Sequence, residues 1–394
     1  LQDGIEAFVA AVGDAIGAAL PDGDLRALVV DGVVGGVGSV VVFLPQICIL
    51  FLALGLLEDS GYMARAAFIM DRLMRRVGLH GKSFIPMLSG YACAVPAIMA
   101  TRTIDEERDR LATMMVVPLV SCSARLPVYT LLIGAFVPAV PIAGGLLDLQ
   151  GVTMLGMYLL GTVTALAVAF VFRRTLLRGP ARPMILELPA YRLPHWRTLI
   201  ANVAQRASLF LRRAGTVILA ASIILWALAT YPRTAVPPDV PEALAAEIQL
   251  ERSALGRIGR AIEPVVRPLG YDWKIGVSIA ASFAAREVFV STMGTIYGVG
   301  EADETSQALV DRLRTETDAV TGKPRYTPLI ALGLMVFYVY ALMCTSTVAV
   351  TVREAGGGRV GWRWAAIQFG YMFALAWGSA FLVYQGGRLL GFGG

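Results

Sequence analysis

The stretch GLHGKSFIPMLSGYACAVPAIMAT at residues 78–101 aligns without a gap with GYDWKIGVSIAASFAAREVFVSTM at residues 270–293, and Lys82 falls on Lys274. Few other letters match. Glycine, serine or proline interrupts both apolar stretches, so each predicts a helix that breaks or re-enters the bilayer. Each copy follows an apolar span and precedes another span with one cysteine near its middle. This pattern predicts an internal repeat of the kind found in secondary transporters, with the substrate site between the two interrupted segments.

The sequence around these stretches is too apolar for a soluble domain of this size. Of the 394 residues, 56% are hydrophobic, and the mean hydropathy is +0.65. The fold class predicted is an all-α polytopic membrane protein with about six full spans plus two re-entrant or broken helices in inverted-topology repeats. Full spans are predicted at 28–57, 111–136, 152–172, 214–231, 328–351 and 364–385, and the interrupted segments at 84–101 and 276–298.

The distribution of Lys and Arg predicts the orientation of the chain. These residues are concentrated in four connections and absent from 1–25 and 137–150, so the basic connections are expected to be cytoplasmic and the two copies to enter the bilayer from opposite sides. The predicted division is an external segment (1–25), the first repeat and following span (26–172), a cytoplasmic linker (173–213), the second repeat with an external amphipathic helix at Pro237 to Ala261 (214–363), and a C-terminal span (364–394).

Composition also excludes several classes of protein. The formal charge is only +5, which gives no basic surface for nucleic acid. The four cysteines show no CxxC spacing, so neither a disulfide framework nor a zinc knuckle is predicted. The chain opens on Leu1 without the basic head of a signal peptide, and we expect it to begin within a longer protein.

Ionisable side chains within the predicted apolar segments are candidates for a functional site. A charge in the hydrocarbon region costs at least about 2.5 kcal/mol, so it normally faces a partner, a cavity or a pathway. Glu287 is the foremost candidate, although it could simply neutralise the adjacent Arg286. Glu58 and Asp59 close the first span, and they could instead cap the helix that follows. Arg125 is a further charge within a span.

Three cysteines occupy matching places in the two copies. Cys93 lies in the first interrupted segment, and Cys122 and Cys344 each lie in the span after an interrupted segment, whereas Cys48 lies in an ordinary apolar run. A lone buried cysteine is often a small hydrophobe, but sulfur with carboxylate suits a borderline divalent ion such as Fe²⁺, Zn²⁺ or Mn²⁺. Separated sulfurs also avoid the closed cage of a structural metal. The predicted metal residues are therefore Cys93, Cys122, Cys344, Glu287, Glu58 and Asp59.

At these residues the chain resembles a known family. The runs LEDSGYMARAAFIMDRLM (57–74), GKSFIPMLSGYACAVPAIMATRT (81–103), PLVSCSARLPVYTLLIGAF (118–136), ELPAYRLP (187–194) and AAREVFVSTMGTIYG (284–298) closely resemble the membrane domain of the FeoB ferrous iron transporters. The resemblance runs from about Pro45 to about Gly357. It implies two inverted gating repeats, called Gate or nucleoside-recognition domains, in the bacterial inner membrane. It also implies that the three cysteines line the path of Fe²⁺ and that Glu287 is the acidic residue of the second gate.

The resemblance further implies partners outside these residues. Members of the family begin with a cytoplasmic GTP-binding domain, and the chain contains no GxxxxGK followed by Ser or Thr, so GTP and Mg²⁺ would bind only in that missing domain. The first transmembrane helix of the family is also missing, and Leu1 to about Gly32 is expected to be the external loop after it. Small cytoplasmic Feo accessory proteins and a homo-oligomer are possible partners, besides the lipid bilayer. No cofactor or enzymatic activity is expected in this chain.

Two departures from the family and two rival functions stay open at this point. The first gate reads Ala92-Cys93-Ala94-Val95-Pro96 where the family has GCNVP, and Met343 replaces the usual proline before Cys344. One rival is a Gate-domain transporter of another divalent metal or of a nucleoside-like solute. The other is a membrane enzyme with a cysteine nucleophile, for which neither histidine lies in a predicted span.

Overall fold

The computed structural model describes residues 2–21, 23–142, 147–177, 191–233, 248–283, 286, 288–297, 306–317, 322 and 324–391. These residues are almost entirely helical, as predicted for an all-α membrane protein. Their only sheet is a pair of two-residue antiparallel strands, β1 (Pro141–Ile142) and β2 (Leu147–Asp148). Four helical stretches are long and apolar enough to cross a membrane: Glu107–Phe136, Leu149–Arg174, Pro328–Glu354 and Gly358–Leu389. The other two predicted spans stay predictions.

The first half of the described chain contains nine helices. A π-helical stretch at Leu28–Val34 joins the second helix to the third. The predicted external segment 1–25 contains a helix where an external loop was expected. The helices are α1 (Gln2–Ala19), α2 (Asp24–Ala27), α3 (Gly35–Asp59), α4 (Tyr62–Arg76), α5 (Phe84–Gly90), α6 (Ala94–Ala100), α7 (Glu107–Val116), α8 (Leu126–Phe136) and α9 (Leu149–Arg174).

The second half repeats much of this order. A π-helical stretch at Leu211–Gly215 again joins two helices. The main helices are α10 (Trp196–Phe210), α11 (Thr216–Thr230), α12 (Ala254–Val266), α13 (Trp273–Ala281), α14 (Val288–Ile296), α15 (Gln307–Thr315), α16 (Pro328–Tyr340), α17 (Thr345–Glu354) and α18 (Gly358–Leu389).

The predicted amphipathic helix at Pro237 to Ala261 is wrong as one continuous element. Residues 234–247 lie outside the described residues, and residues 248–252 are helical. Ser253 then interrupts the helix, because its backbone is extended and its hydroxyl accepts a hydrogen bond from the amide of Gly256, which starts α12.

The two interrupted segments begin in the same way. Gly78 ends the turn after α4 with φ +80°, and Gly270 ends the turn after α12 with φ +81°, a region that favours glycine. Two residues later a side chain caps the next helical turn in both copies. His80 Nδ1 accepts from the Lys82 amide at 3.1 Å, and Asp272 Oδ1 accepts from the Ile275 amide at 2.9 Å.

Each interrupted segment then consists of two short helices. Residues 91–93 separate α5 from α6, and residues 282–287 separate α13 from α14, with Ala284, Ala285 and Glu287 outside the described residues. These positions correspond in the gap-free alignment. The local structure therefore repeats, while the predicted domain boundaries and inverted orientation stay predictions.

Two of the predicted spans are also interrupted. Residues 120–122 separate the end of the α7 helical stretch from α8, and residues 341–344 separate α16 from α17. The spans predicted at 111–136 and 328–351 are therefore each broken near the middle, although both stretches are long and apolar enough to cross a membrane. Val120 and Ala341, which begin the two breaks, share an extended backbone with ψ of 131° and 132°.

The chain divides into two compact units. Unit 1 contains residues 1–123, 162–226 and 345–368, and unit 2 contains residues 124–161, 227–344 and 369–394. Unit 1 thus holds the first interrupted segment together with α17, which follows the second one in sequence. Unit 2 holds the second interrupted segment together with α8, which follows the first. Each repeat contributes one short helix to the unit built mainly from the other repeat.

We predict that Gly270→Ala destabilises the protein more than Gly322→Ala. Both glycines have positive φ, so alanine costs about 1–3 kcal/mol of backbone strain at either position. A Cβ on Gly270 would lie 2.5 Å from the Tyr384 ring, whereas no described heavy atom lies within 4 Å of a Cβ on Gly322. We expect a further ~1–3 kcal/mol loss at Gly270 only, measured by thermal unfolding in detergent micelles. Equal losses would contradict this packing.

Candidate functional site

The first break in unit 1 places Cys93 between two helices. The amides of Ala92 and Cys93 both donate to the Ser89 carbonyl, which closes the end of α5. Cys93 then has an extended backbone, with φ −155° and ψ 132°, before α6 begins. Its thiol is half-buried. Pro96, three residues later, lies in the first turn of α6, where a proline does not interrupt hydrogen bonding.

The second break in unit 1 adjoins the first. Cys122 is buried, with 7% of its surface exposed. Next to it, the hydroxyl of Ser123 donates a hydrogen bond to the Ala92 carbonyl at 2.9 Å. Gly90 faces the same region, since a Cβ there would lie 3.4 Å from a Val117 methyl group. A direct hydrogen bond therefore joins the break that contains Cys93 to the residue that follows Cys122.

The two breaks in unit 2 are joined in a similar way. Arg286, which is only 3% exposed, donates from Nε to the carbonyl of Met343 at 3.1 Å. The hydroxyl of Ser282 lies 2.8 Å from the Tyr338 hydroxyl on α16. Cys344 follows Met343 directly and is half-buried. In each unit, a side chain at one break thus donates to a carbonyl at the other.

The carboxylates predicted as metal residues do not lie together in the described structure. Glu287 lies outside the described residues. Its neighbour Arg286 donates a hydrogen bond to the Met343 carbonyl. Glu58 and Asp59 form the C-terminal end of α3. The alternative that they cap α4 is wrong, because Gly61 is the N-cap residue and no side chain caps it.

The described residues do not form a closed metal cage. Across these ranges, no group of three or more His, Cys, Asp or Glu side chains could hold a metal ion. The structure brings together the breaks at Cys93 and Cys122, whereas Cys344 belongs to unit 2 and Glu58 and Asp59 lie at a helix end. The predicted set of six metal residues therefore stays a prediction.

Several polar contacts in unit 1 were missed by the sequence analysis. Asp109 and Arg173 form a buried ion pair at 2.8 Å. Gln368, which is fully buried on α18, donates to the Met114 carbonyl at 2.9 Å and accepts from Thr351. The Gln368 amide inside a predicted span was a visible signal, but sequence alone could not identify its partners.

Carboxylate and basic side chains also pair at the ends of the interrupted segments. Lys82 binds Asp105 at 2.7 Å, and the hydrogen bond from Lys82 lowers the pKa of Asp105. In unit 2 the aligned Lys274 binds Glu316 at 3.1 Å. Asp105 lies in the loop directly after the first interrupted segment, whereas Glu316 follows α15. The shared pairing matches the alignment of Lys82 with Lys274.

Two protein-family models match most of the chain. Residues 40–136 and 211–358 match the family model Gate, described as nucleoside recognition. Residues 154–206 match the model for the ferrous iron transport protein B C terminus. No solved structure matches the chain.

Curated relatives are similar over nearly the whole chain. The Fe(2+) transporter FeoB of Leptospira biflexa is 46% identical over 99% of this chain and 55% of its own length. A Porphyromonas gingivalis protein, named as a fusion of Fe(2+) transport protein A with the Fe(2+) transporter FeoB, is 44% identical over 98% and 47%. The Fe(2+) transporter FeoB of Staphylococcus aureus strain COL is 38% identical over 93% and 50%. The chain spans about half the length of these relatives.

We predict that Ser123→Ala loosens the joined breaks in unit 1, whereas Ser123→Thr does not. Alanine removes the hydroxyl that donates to Ala92, a loss of about 1 kcal/mol, and threonine keeps that donor. Thermal unfolding and the alkylation rate of Cys93 would be measured for both variants. If the two variants behaved alike, the hydrogen bond would not hold the breaks together.

Proposed function

Since the chain belongs to the FeoB family and corresponds to its membrane domain, we propose that it carries ferrous iron across the bacterial inner membrane. The observation that carries this proposal is the position of the cysteines. Cys93, Cys122 and Cys344 each lie in a helix break, whereas Cys48 lies within the continuous helix α3. Relatives named as Fe(2+) transporters supply the identity of the ion.

A helix break suits the binding of an ion in transit. Where the backbone is extended, carbonyl oxygens turn away from the helix axis and can lie beside a thiol. Sulfur and oxygen together suit Fe²⁺, which binds such ligands weakly among the first-row metals. A path also requires binding that is favourable enough to remove water and weak enough to release the ion. Separated cysteines meet that requirement better than a tetrahedral site.

The proposed path follows the order expected from the sequence. Fe²⁺ would enter near the second gate and exchange water for the carboxylate of Glu287 and the sulfurs of Cys122 and Cys344. It would then pass Cys93 and the first gate. Glu58 and Asp59, which close α3, would receive it on the cytoplasmic side.

Gating would follow from the interrupted helices. We propose that the two repeats have inverted topology and open one side of the path at a time. The GTP-binding domain of the family would bias this equilibrium only by binding the two states with different affinity. Because one relative is named as a fusion with Fe(2+) transport protein A, a small protein of that kind is a proposed partner.

We predict that serine at any of the three break cysteines lowers iron uptake strongly, while Cys48→Ser does not. Serine preserves size but replaces the sulfur ligand with a harder, weaker one. Uptake of labelled Fe²⁺ would be measured in anaerobic proteoliposomes that contain the full-length protein. We expect uptake to fall by at least about tenfold, or ~1.4 kcal/mol, in the break variants.

Competing substrates separate this proposal from its rivals. Zn²⁺, Mn²⁺ and a mixture of nucleosides would be added in excess to the same vesicles. Selective uptake of Fe²⁺ that survives these competitors supports the proposal. Preferential uptake of Zn²⁺ would mean that the protein transports zinc and not iron. Competition by nucleosides would favour the other Gate-domain function. Full uptake in all three serine variants would show that the cysteines do not line the path.

A further inference from the structure

Arginine side chains hold the C-terminal end of α17 in unit 1. Arg102, just after α6, binds both carboxylate oxygens of Glu354, with Nε 2.7 Å from Oε2 and Nη2 2.5 Å from Oε1. Arg110 on α7 donates from Nη2 to the backbone carbonyl of the same Glu354. Glu354 is only 5% exposed. The hydrogen bond that Arg102 donates to Glu354 also raises the pKa of Arg102. We call this arrangement the α17 clasp.

A third arginine, Arg314, holds the C-terminal end of α8 in unit 2. Arg314 on α15 donates from Nε to the Ala135 carbonyl at 2.6 Å and from Nη2 to the Gly134 carbonyl at 2.7 Å. These carbonyls belong to the last turn of α8, where intrahelical donors run out. We call this arrangement the α8 clasp.

The two clasps hold equivalent elements. α8 and α17 are the two short helices that each repeat contributes to the unit built mainly from the other repeat. Each follows a cysteine break closely, since α17 begins directly after Cys344 and α8 begins four residues after Cys122. Each has its last turn bound by arginine from that other repeat. Two unrelated sets of contacts thus fix the same point in both units.

Each clasp also constrains the cysteine at the opposite end of its helix. α17 has 10 residues and α8 has 11, so each is a rod of only about 15 Å. A short helix transmits a shift of one end to the other, because its internal hydrogen bonds resist bending. Release of the last turn would therefore move the break at the first turn.

We propose that Arg102, Arg110 and Arg314 are positioning residues that, by holding the last turns of α17 and α8, set the exposure of Cys344 and Cys122. This inference adds a means of gating to the proposed transport function, and it rests on that function. Glu354 and Arg110 also line an open pocket of about 260 Å³ with Asp105 and Glu107. The Arg102 side chain is itself 56% exposed, so its guanidinium can leave Glu354 without displacing packed side chains.

We predict that release of the α17 clasp exposes Cys344. The full-length protein would retain Cys344 as the only cysteine of this region, with Cys48, Cys93 and Cys122 changed to serine. Its reaction with a water-soluble maleimide would be timed in proteoliposomes. We expect Arg102→Gln and Glu354→Gln each to accelerate the reaction by about fivefold or more, since the open population rises. Arg102→Lys, which keeps the charge but not the bidentate contact, should show a smaller rise.

Matched controls distinguish positioning from general loss of stability. Arg75→Gln removes an ion pair with Asp71 within α4, at 2.6 Å in the same unit, and should leave the Cys344 rate unchanged. The double variant Arg102→Glu with Glu354→Arg should return the rate towards the parent value. In a background that retains only Cys122, Arg314→Gln should accelerate alkylation while Arg102→Gln does not.

The outcomes separate this inference from the proposed function. Unchanged Cys344 rates in Arg102→Gln and Glu354→Gln, or an equal rise in Arg75→Gln, would overturn the clasp. If Arg102→Gln or Glu354→Gln does not fold, the Cys344 alkylation rate of Arg102→Lys is used instead, and an unchanged rate would again overturn the clasp. Iron uptake would be measured separately with the native cysteines. A faster thiol reaction without iron uptake in the parent protein would keep the clasp and reject iron transport.

Discussion

A helix that stops inside a bilayer leaves backbone amides and carbonyls that no water can satisfy, and this constraint governs the structure. The described chain has the four helix breaks at 91–93, 120–122, 282–287 and 341–344, two of them within candidate membrane spans, and in each unit hydrogen bonds join two of them. Ser123 donates to Ala92 in unit 1, and Arg286 donates to Met343 in unit 2. A break that costs several kcal/mol alone is tolerated because its neighbour supplies the missing partner. The breaks are therefore stable in pairs, and losing one donor affects both.

Two of the five boundaries between the units lie at these breaks, whereas the other three fall within α9, α11 and α18. The boundary between Ser123 and Ala124 lies next to Cys122, and the boundary between Cys344 and Thr345 lies next to Cys344. At these two boundaries the chain passes from a helix break towards the short helix that follows it. The short helix beyond each boundary packs with the other repeat and has its last turn bound there by arginine. Connection and packing thus place the cysteines where the backbone is least constrained by helical geometry.

The sequence predicts the helical class well and the breaks only in part. Breaks at 84–101 and 276–298 could be predicted because glycine, serine and proline interrupt apolar residues there. The break at 120–122 was missed, although Pro118 and Pro127 flank it, because average hydropathy does not register three non-helical residues inside a 30-residue span. The clasp on Glu354 could not be predicted at all. Arg102 lies 252 positions away in sequence, and only the folded chain brings the two together.

The cysteines show why local backbone structure decides between a packing role and a binding role. Cys48 has the same half-buried thiol as Cys93, but its neighbours within α3 have their carbonyls directed along a continuous helix. At Cys93 the backbone is extended, the Ala92 carbonyl accepts a hydrogen bond from Ser123, and the Cys93 carbonyl accepts one from the Ala97 amide at 3.3 Å. Composition does not distinguish these two residues, and the structural basis for proposing Cys93 and not Cys48 as an ion ligand is that only Cys93 lies at a helix break.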